Sequence, residues 1–168
     1  ERARESLDGQ QGLASERLMA STSAWYATLL QAQGRSAEAY AWGERAVREA
    51  DDVDDPEELG NAYYVMGWAH SALGKEGAEV HMVKALEAFR RSGNRVRHAE
   101  ILGNVGSACY WEGRWDDAMS YYERGRDESV KVGNLVAAGN ASMNIAEILT
   151  DRGEYAEAEA TLQKTLPM

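Results

Sequence analysis

At 168 residues, 44% of them apolar and 27% charged, the chain is long enough to bury a continuous core and has an ordinary globular balance. Its 28 acidic and 18 basic residues give a net charge of −10, which excludes a general nucleic-acid binder, because phosphate-backbone affinity needs clustered Lys and Arg. The single cysteine, Cys109, excludes an internal disulfide and fits a reducing, cytoplasmic compartment, and no apolar run approaches the ~18 residues of a membrane span.

Glu1–Leu7 reads as the end of a preceding helix and Asp8-Gly9-Gln10-Gln11-Gly12 as its break, so residues 1–12 are expected to be a helix end or linker. The start at Glu1 and the stop at Pro167-Met168 both look cut, so a piece of a larger protein is expected. A long helix follows over about 13–33, carrying Leu18, Tyr26 and Leu30 toward a partner. Gly34 ends it, and a second helix covers about 36–50. Its small residues Ala39, Gly43 and Ala46 lie at i, i+4, i+7, where close helix approach needs them.

The acidic run from Asp51 to Glu58 invites a calcium reading. An EF-hand loop needs Gly at position 6 and Glu at position 12, and Pro56 and Ala62 stand there instead. Asp55 reads as a helix cap, with Pro56 first in the helix and Glu58 completing a capping box. That helix runs to Leu73. Its partner, about 76–91, shows the clearest apolar stripe in Ala78, Met82, Ala85, Leu86 and Phe89. Ser92-Gly93-Asn94 ends it, as Val132-Gly133-Asn134 ends a later helix. Two more helix pairs are expected, about 95–112 with 115–131 and 135–152 with 155–166.

The four helix pairs turn at Gly34, Gly74, Gly113 and Gly153, spaced 40, 39 and 40 residues apart. Self-similarity at a fixed period in this range marks a solenoid, with repeats at about 13–52, 53–92, 93–132 and 133–168. The second copy reads Tyr63-x2-Met66-Gly67-x2-His70 and Ala78-x3-Met82. The third reads Leu102-x2-Val105-Gly106-x2-Cys109 and Ala118-x3-Tyr122. The fourth reads Ser142-x2-Ile145-Ala146-x2-Leu149 and Ala158-x3-Leu162, and the first, the weakest, Ser23-x2-Tyr26-Ala27-x2-Leu30 and Ala39-x3-Gly43.

These positions resemble the tetratricopeptide repeat, W-x2-L-G-x2-Y followed by A-x3-F and P. The period is longer than the usual 34, and Gly-Asn replaces the final proline. Both departures resemble the longer-helix subclass of cell-polarity adaptors and large bacterial regulators. In those regulators the arrays sit beside a signalling ATPase, a DNA-binding output domain or an adenylate or guanylate cyclase. The resemblance implies an all-α, right-handed α-α superhelix of four helix-turn-helix repeats, whose first helices line a concave groove.

Mapped onto this chain, the groove positions hold Asn61, Tyr64 and Trp68 from the second copy. The third supplies Asn104, Ser107, Tyr110 and Trp111, and the fourth Asn140, Asn144 and Glu147. The i, i+4 spacing independently puts Asn140 and Asn144 on one helical face. No Lys or Arg falls at these positions, so the clamp with which the family's chaperone co-factors hold a C-terminal carboxylate has no counterpart. Glu100, Glu147 and Asp151 instead favour a neutral or basic ligand. An asparagine amide both donates and accepts, and aromatic rings supply anchors at low entropic cost, so the lining suits a peptide or a partner's helix. The alternative is structural: Asn104 and Asn144 tie neighbouring helices, and Trp68 and Trp111 pack between repeats.

No P-loop and no His-Glu-x-x-His occurs. His70, His81 and His98 fall on three different helices without ligand spacing, and Cys109 occupies a packed repeat position as an inert thiol. No isolated carboxylate pair suggests acid–base work. The reading is a protein- or peptide-binding module without enzymatic activity, cofactor or metal, serving as the regulatory part of a larger bacterial signalling protein. The alternative is a spacer or self-association scaffold that meets a second copy (a homodimer) or a neighbouring domain. An exposed aromatic patch of Tyr40, Trp42, Trp115 and Tyr121 would favour that alternative. An acidic edge (Asp51, Asp52, Asp54, Asp55) and a basic one (Arg90, Arg91, Arg95, Arg97) either compensate each other or meet across two copies.

Overall fold

A computed structural model of the chain describes the backbone of residues 2–165 and the side chains of residues 12–165. Among the described residues the fold is all-α, with eight helices and no strand. They are α1 (Arg2–Ala32), α2 (Ser36–Asp52), α3 (Pro56–Ala72), α4 (Ala78–Ser92), α5 (Arg95–Trp111), α6 (Trp115–Lys131), α7 (Leu135–Asp151) and α8 (Tyr155–Thr165). They divide into two compact units, Glu1–Gly93 and Asn94–Met168, each a pair of helical hairpins. No helix of the described residues is long and apolar enough to cross a membrane.

The hairpin turns form because a left-handed residue lets the chain fold back onto the carbonyls of the helix it leaves. At the third turn Gly113 has φ 77°. Its N–H donates to Tyr110 O at 3.0 Å, and the Arg114 N–H donates to Cys109 O at 2.9 Å. This is the two-bond Schellman closure of a helix C-terminus. Gly34, Gly74 and Gly153 repeat it with the same partners one period away. At the links between hairpins the labour is divided. Gly133 ends α6 at φ 76°, and the next residue, Asn134, caps α7 by accepting from the Ala137 N–H at 3.1 Å.

Three expectations are corrected. The break at residues 8–12 is absent: α1 runs through Gly9 and Gly12 as one helix of 31 residues. A glycine inside a helix costs only about 1 kcal/mol relative to alanine, and without a proline or a cap nothing stops propagation. Leu18 does not face a partner. It is 68% exposed, while Ala20, Ser23, Ala24, Ala27 and Leu30 form the buried stripe of α1. The capping box before α3 is half formed. Asp55 Oδ1 accepts from the Glu57 and Glu58 N–H groups at 3.1 and 3.2 Å. The Asp55 N–H, however, donates to Ala50 O, and Glu58 accepts from Asn61 Nδ2.

Packing inside each unit sets large side chains over glycines. In the first unit Met82, 2% exposed, lies over Gly67, where a Cβ would stand 2.8 Å from the Met82 methyl. Phe89 lies over Gly60, and a Cβ on Gly43 would run into Met66. In the second unit the Tyr122 ring would meet a Cβ on Gly106 at 2.8 Å. Gly67 with Met82, Gly60 with Phe89 and Gly106 with Tyr122 each close the gap between the two helices of one hairpin, and Gly43 with Met66 joins α2 to α3 across neighbouring hairpins. The charged edges compensate locally: Arg91 bridges Asp54 at 2.9 Å, and Arg90, Arg95 and Arg97 pair with Glu87, Glu128 and Glu100.

The fold also joins two histidines that the sequence kept apart. His70 on α3 and His81 on α4 have ring centroids 5.2 Å apart, with the Tyr40 ring of α2 against both. His70 Nε2 donates to Glu76 O at 2.8 Å, and both Nδ1 atoms are buried without a partner. Burial first, then the neighbouring His70 and Lys84, pushes His81 below its ordinary value of about 6.5, against the pull of Glu44. The folded state therefore holds this proton less well than the unfolded chain. Its contribution is full above the unfolded value and is lost as pH falls from there toward the folded value. Urea unfolding midpoints followed from pH 8 down to pH 5 are expected to drop less in His81→Gln than in the wild type. Parallel pH profiles would exclude His81 as the source.

Candidate functional site

The site-bearing side chains stand on first helices of the hairpins, whose inward faces carry small residues. In the second unit a groove of about 380 Å³ opens among α5, α6 and α7. Its floor is small because Gly125 lets α6 approach α5: a Cβ there would stand 3.3 Å from the Gly103 nitrogen and from Leu102 Cβ. Its walls carry Glu100, Asn104 and Ser107 from α5 and Asn140 and Asn144 from α7. The groove thus brings together four of the ten residues singled out from the sequence.

The four differ in what they are free to do. Ser107 is committed internally, donating to Gly103 O at 3.1 Å and accepting from the Tyr122 hydroxyl at 3.1 Å. Asn104 and Asn144 are half-buried and Asn140 is exposed. No hydrogen bond links these three amides to another described residue, so they do not tie the helices together.

At the C-terminal ends of α5 and α7 the remaining positions form an aromatic and acidic cluster. The Tyr110 hydroxyl donates to Asp151 Oδ2 at 2.8 Å. That hydrogen bond first, then burial and the charges of Glu147 and Asp151, pushes the phenol up to about 12. The Tyr110 ring meets Trp111 edge-on at 5.4 Å and stacks on Trp115 at 6.3 Å. Trp111 itself is 83% exposed, so it is not packed between repeats.

Asn61, Tyr64 and Trp68 lie on α3 in the other unit. Tyr64 and Trp68 meet edge-on at 6.3 Å, and Asn61 donates to Glu58. The four aromatic residues of the second helices form no fully exposed patch. Tyr40 sits against the two histidines, Trp42 against Tyr26, Trp115 on Tyr110 and Tyr121 beneath Arg124. The sequence reading missed an apolar hollow of about 760 Å³ between α7 and α8, with Met143, Tyr155 and Leu162 on its walls. The available signal was the repeat position of Leu162. Met82 and Tyr122 at that position are 2% and 3% exposed, whereas Leu162 is 41% exposed.

The same arrangement of helices occurs in solved structures. BtubC (BKLC) from P. vanneervenii superposes with a TM-score of 0.80 at 20% identity, over 90% of this chain and 63% of its own. A Signal Transduction ATPase with Numerous Domains (STAND) protein with a tetratricopeptide repeat sensor, from Pyrococcus horikoshii, superposes with a TM-score of 0.80 at 16% identity, over 89% of this chain and 24% of its own. At these identities the likeness is one of fold, and this chain spans less than two thirds of either. The sequence pattern of the tetratricopeptide repeat matches residues 20–45 and 143–164. These two segments are tetratricopeptide repeats. No curated protein matches the sequence of the chain. The groove lies along α5 and α7, the first helices of the third and fourth hairpins, and the third hairpin also carries the Gly106–Tyr122 pair.

Proposed function

We propose that this tetratricopeptide-repeat array is the recognition part of a larger cytoplasmic bacterial signalling protein, and that it takes a peptide or a partner's helix along the α5–α7 groove. Such repeats are protein–protein interaction modules, and the Pyrococcus protein's name joins a sensor of this kind to a signal-transduction ATPase. An ATPase or cyclase elsewhere in the parent chain would be shifted by what the groove binds; this segment contributes binding and no chemistry of its own. The observation that carries the reading is the set of Asn104, Asn140 and Asn144 around one groove, with no partner among the described residues. Each amide offers donors and an acceptor, which matches the alternating N–H and C=O of an extended backbone.

The test is fluorescence anisotropy with degenerate peptides of blocked termini, on the wild type and an Asn104→Ala/Asn144→Ala variant. Each lost hydrogen bond is worth about 0.5–1.5 kcal/mol, so the double variant is expected to bind at least about fivefold more weakly. Its unfolding midpoint should not fall, because neither amide bonds to another described residue and alanine is the better helix former. Equal binding by the two proteins would sink the groove reading.

One observation favours a second reading, self-association: the apolar hollow beside Leu162. In sedimentation equilibrium, a dimer lost on Leu162→Glu but kept in the asparagine variant would support it. A monomer across the concentration range would dismiss it.

A further inference from the structure

We infer that the α5–α7 groove selects peptides bearing a basic side chain, seated at its C-terminal end beside Tyr110, Trp111, Glu147 and Asp151. This rests on the groove reading above and names the chemistry of its ligand. Asn144, Glu147 and Asp151 follow one another at i, i+3, i+7 along α7 and share one face. A chain held by the amides therefore runs on to the two carboxylates.

Neither carboxylate is neutralised there. Glu147 is exposed and has no ion pair among the described residues, and Asp151 is held only by the uncharged phenol of Tyr110. Most basic residues of this unit are engaged elsewhere: Arg95 and Lys131 with Glu128, Arg97 with Glu100, Arg114 with Glu112 and Asp117, Arg126 with Asp127 and Arg152 with Asp116. Tyr110 keeps its proton first through its hydrogen bond to Asp151 and through burial, and then through the charges of Glu147 and Asp151. A third group fits a cation as well. Trp111 presents an indole that is 83% exposed, held edge-on by Tyr110, and an open indole face is the best aromatic partner for Arg or Lys. An acidic side chain would meet two like charges at this end, and a neutral one would leave both carboxylates uncompensated.

The experiment uses the full chain and three degenerate peptide sets, blocked at both termini and identical except for one fixed residue: Arg, Gln or Glu. The Arg set is expected to bind about tenfold more tightly than the Gln set, equivalent to about 1.4 kcal/mol, and the Glu set most weakly. Added salt should shrink the difference. Glu147→Gln/Asp151→Asn and Trp111→Ala should each reduce the Arg advantage, whereas Asn104→Ala/Asn144→Ala should weaken all three sets alike. Equal binding of the Arg and Gln sets, still sensitive to the asparagine variant, overturns the basic-ligand inference and leaves the groove reading standing. An Arg advantage that survives the carboxylate variant also overturns it. Binding by none of the sets overturns both.

Discussion

Phe89→Ala is expected to lower the unfolding free energy by about 3–5 kcal/mol, the range for removing a fully buried aromatic side chain. Phe89 is 0% exposed and lies against Gly60, whose absent side chain makes room for it. A Cβ on Gly60 would stand 2.7 to 2.9 Å from three atoms of the Phe89 ring. A rigid ring enclosed in a core cannot move aside as the end of a flexible chain can. Gly60→Ala is therefore expected to cost about 1–3 kcal/mol through overpacking, in spite of alanine's better helix propensity. In a Phe89→Leu background that cost should fall, because the shorter side chain vacates the space. A double-mutant cycle by urea unfolding should then return a coupling of about 0.5–3 kcal/mol. If Gly60→Ala costs the same in both backgrounds, the ring is not what keeps position 60 small.

Gly103→Leu is expected to separate binding from stability. Gly103 is helical, lines the groove and has nothing within 4 Å of the place its Cβ would take. Leucine is better than glycine in a helix by about 0.8–1 kcal/mol, so the variant should unfold at a higher urea concentration. Its side chain would occupy the space between the asparagines, and peptide binding should fall by more than about tenfold. Gly106→Leu, one turn along the same helix, should do the reverse to stability, because its Cβ would meet the Tyr122 ring at 2.8 Å. Wild-type peptide affinity in Gly103→Leu would mean that the ligand does not lie in this groove.

Much of this was legible in the sequence because it depends on local chemistry. At all but one of its positive-φ positions, Asp54, the described chain uses glycine, so Gly34, Gly74, Gly113 and Gly153 announced the turns and their period. The pairing of Gly67 with Met82 and Gly106 with Tyr122 was legible for a related reason: a hole and the side chain that fills it recur at corresponding positions of successive hairpins. The Asn140–Asn144 face followed from helical geometry alone. What could not be read depends on which surfaces meet. Ser107 looked like a groove hydroxyl and is committed to Tyr122 fifteen positions later. Tyr110 and Asp151 are 41 residues apart, and only the register of two hairpins joins them. The exposure of Leu18 and Trp111 was equally hidden, since an apolar residue at helical spacing does not say whether a neighbour covers it. The uninterrupted α1 shows the limit of breaker residues, whose local cost is smaller than that of ending a helix without a cap.

The position of Tyr110 between Trp111 and Trp115 has a practical side. Two indoles flank the one phenol whose hydroxyl crosses to Asp151. A group that takes the Asp151 oxygen held by Tyr110 would release the hydroxyl and change the surroundings of both indoles at once. One of them faces bulk water before anything arrives. The end of the groove thus carries its own optical probe. Occupancy should appear as a blue shift of tryptophan emission, absent in Trp111→Phe, so that a ligand can be sought without labelling either molecule.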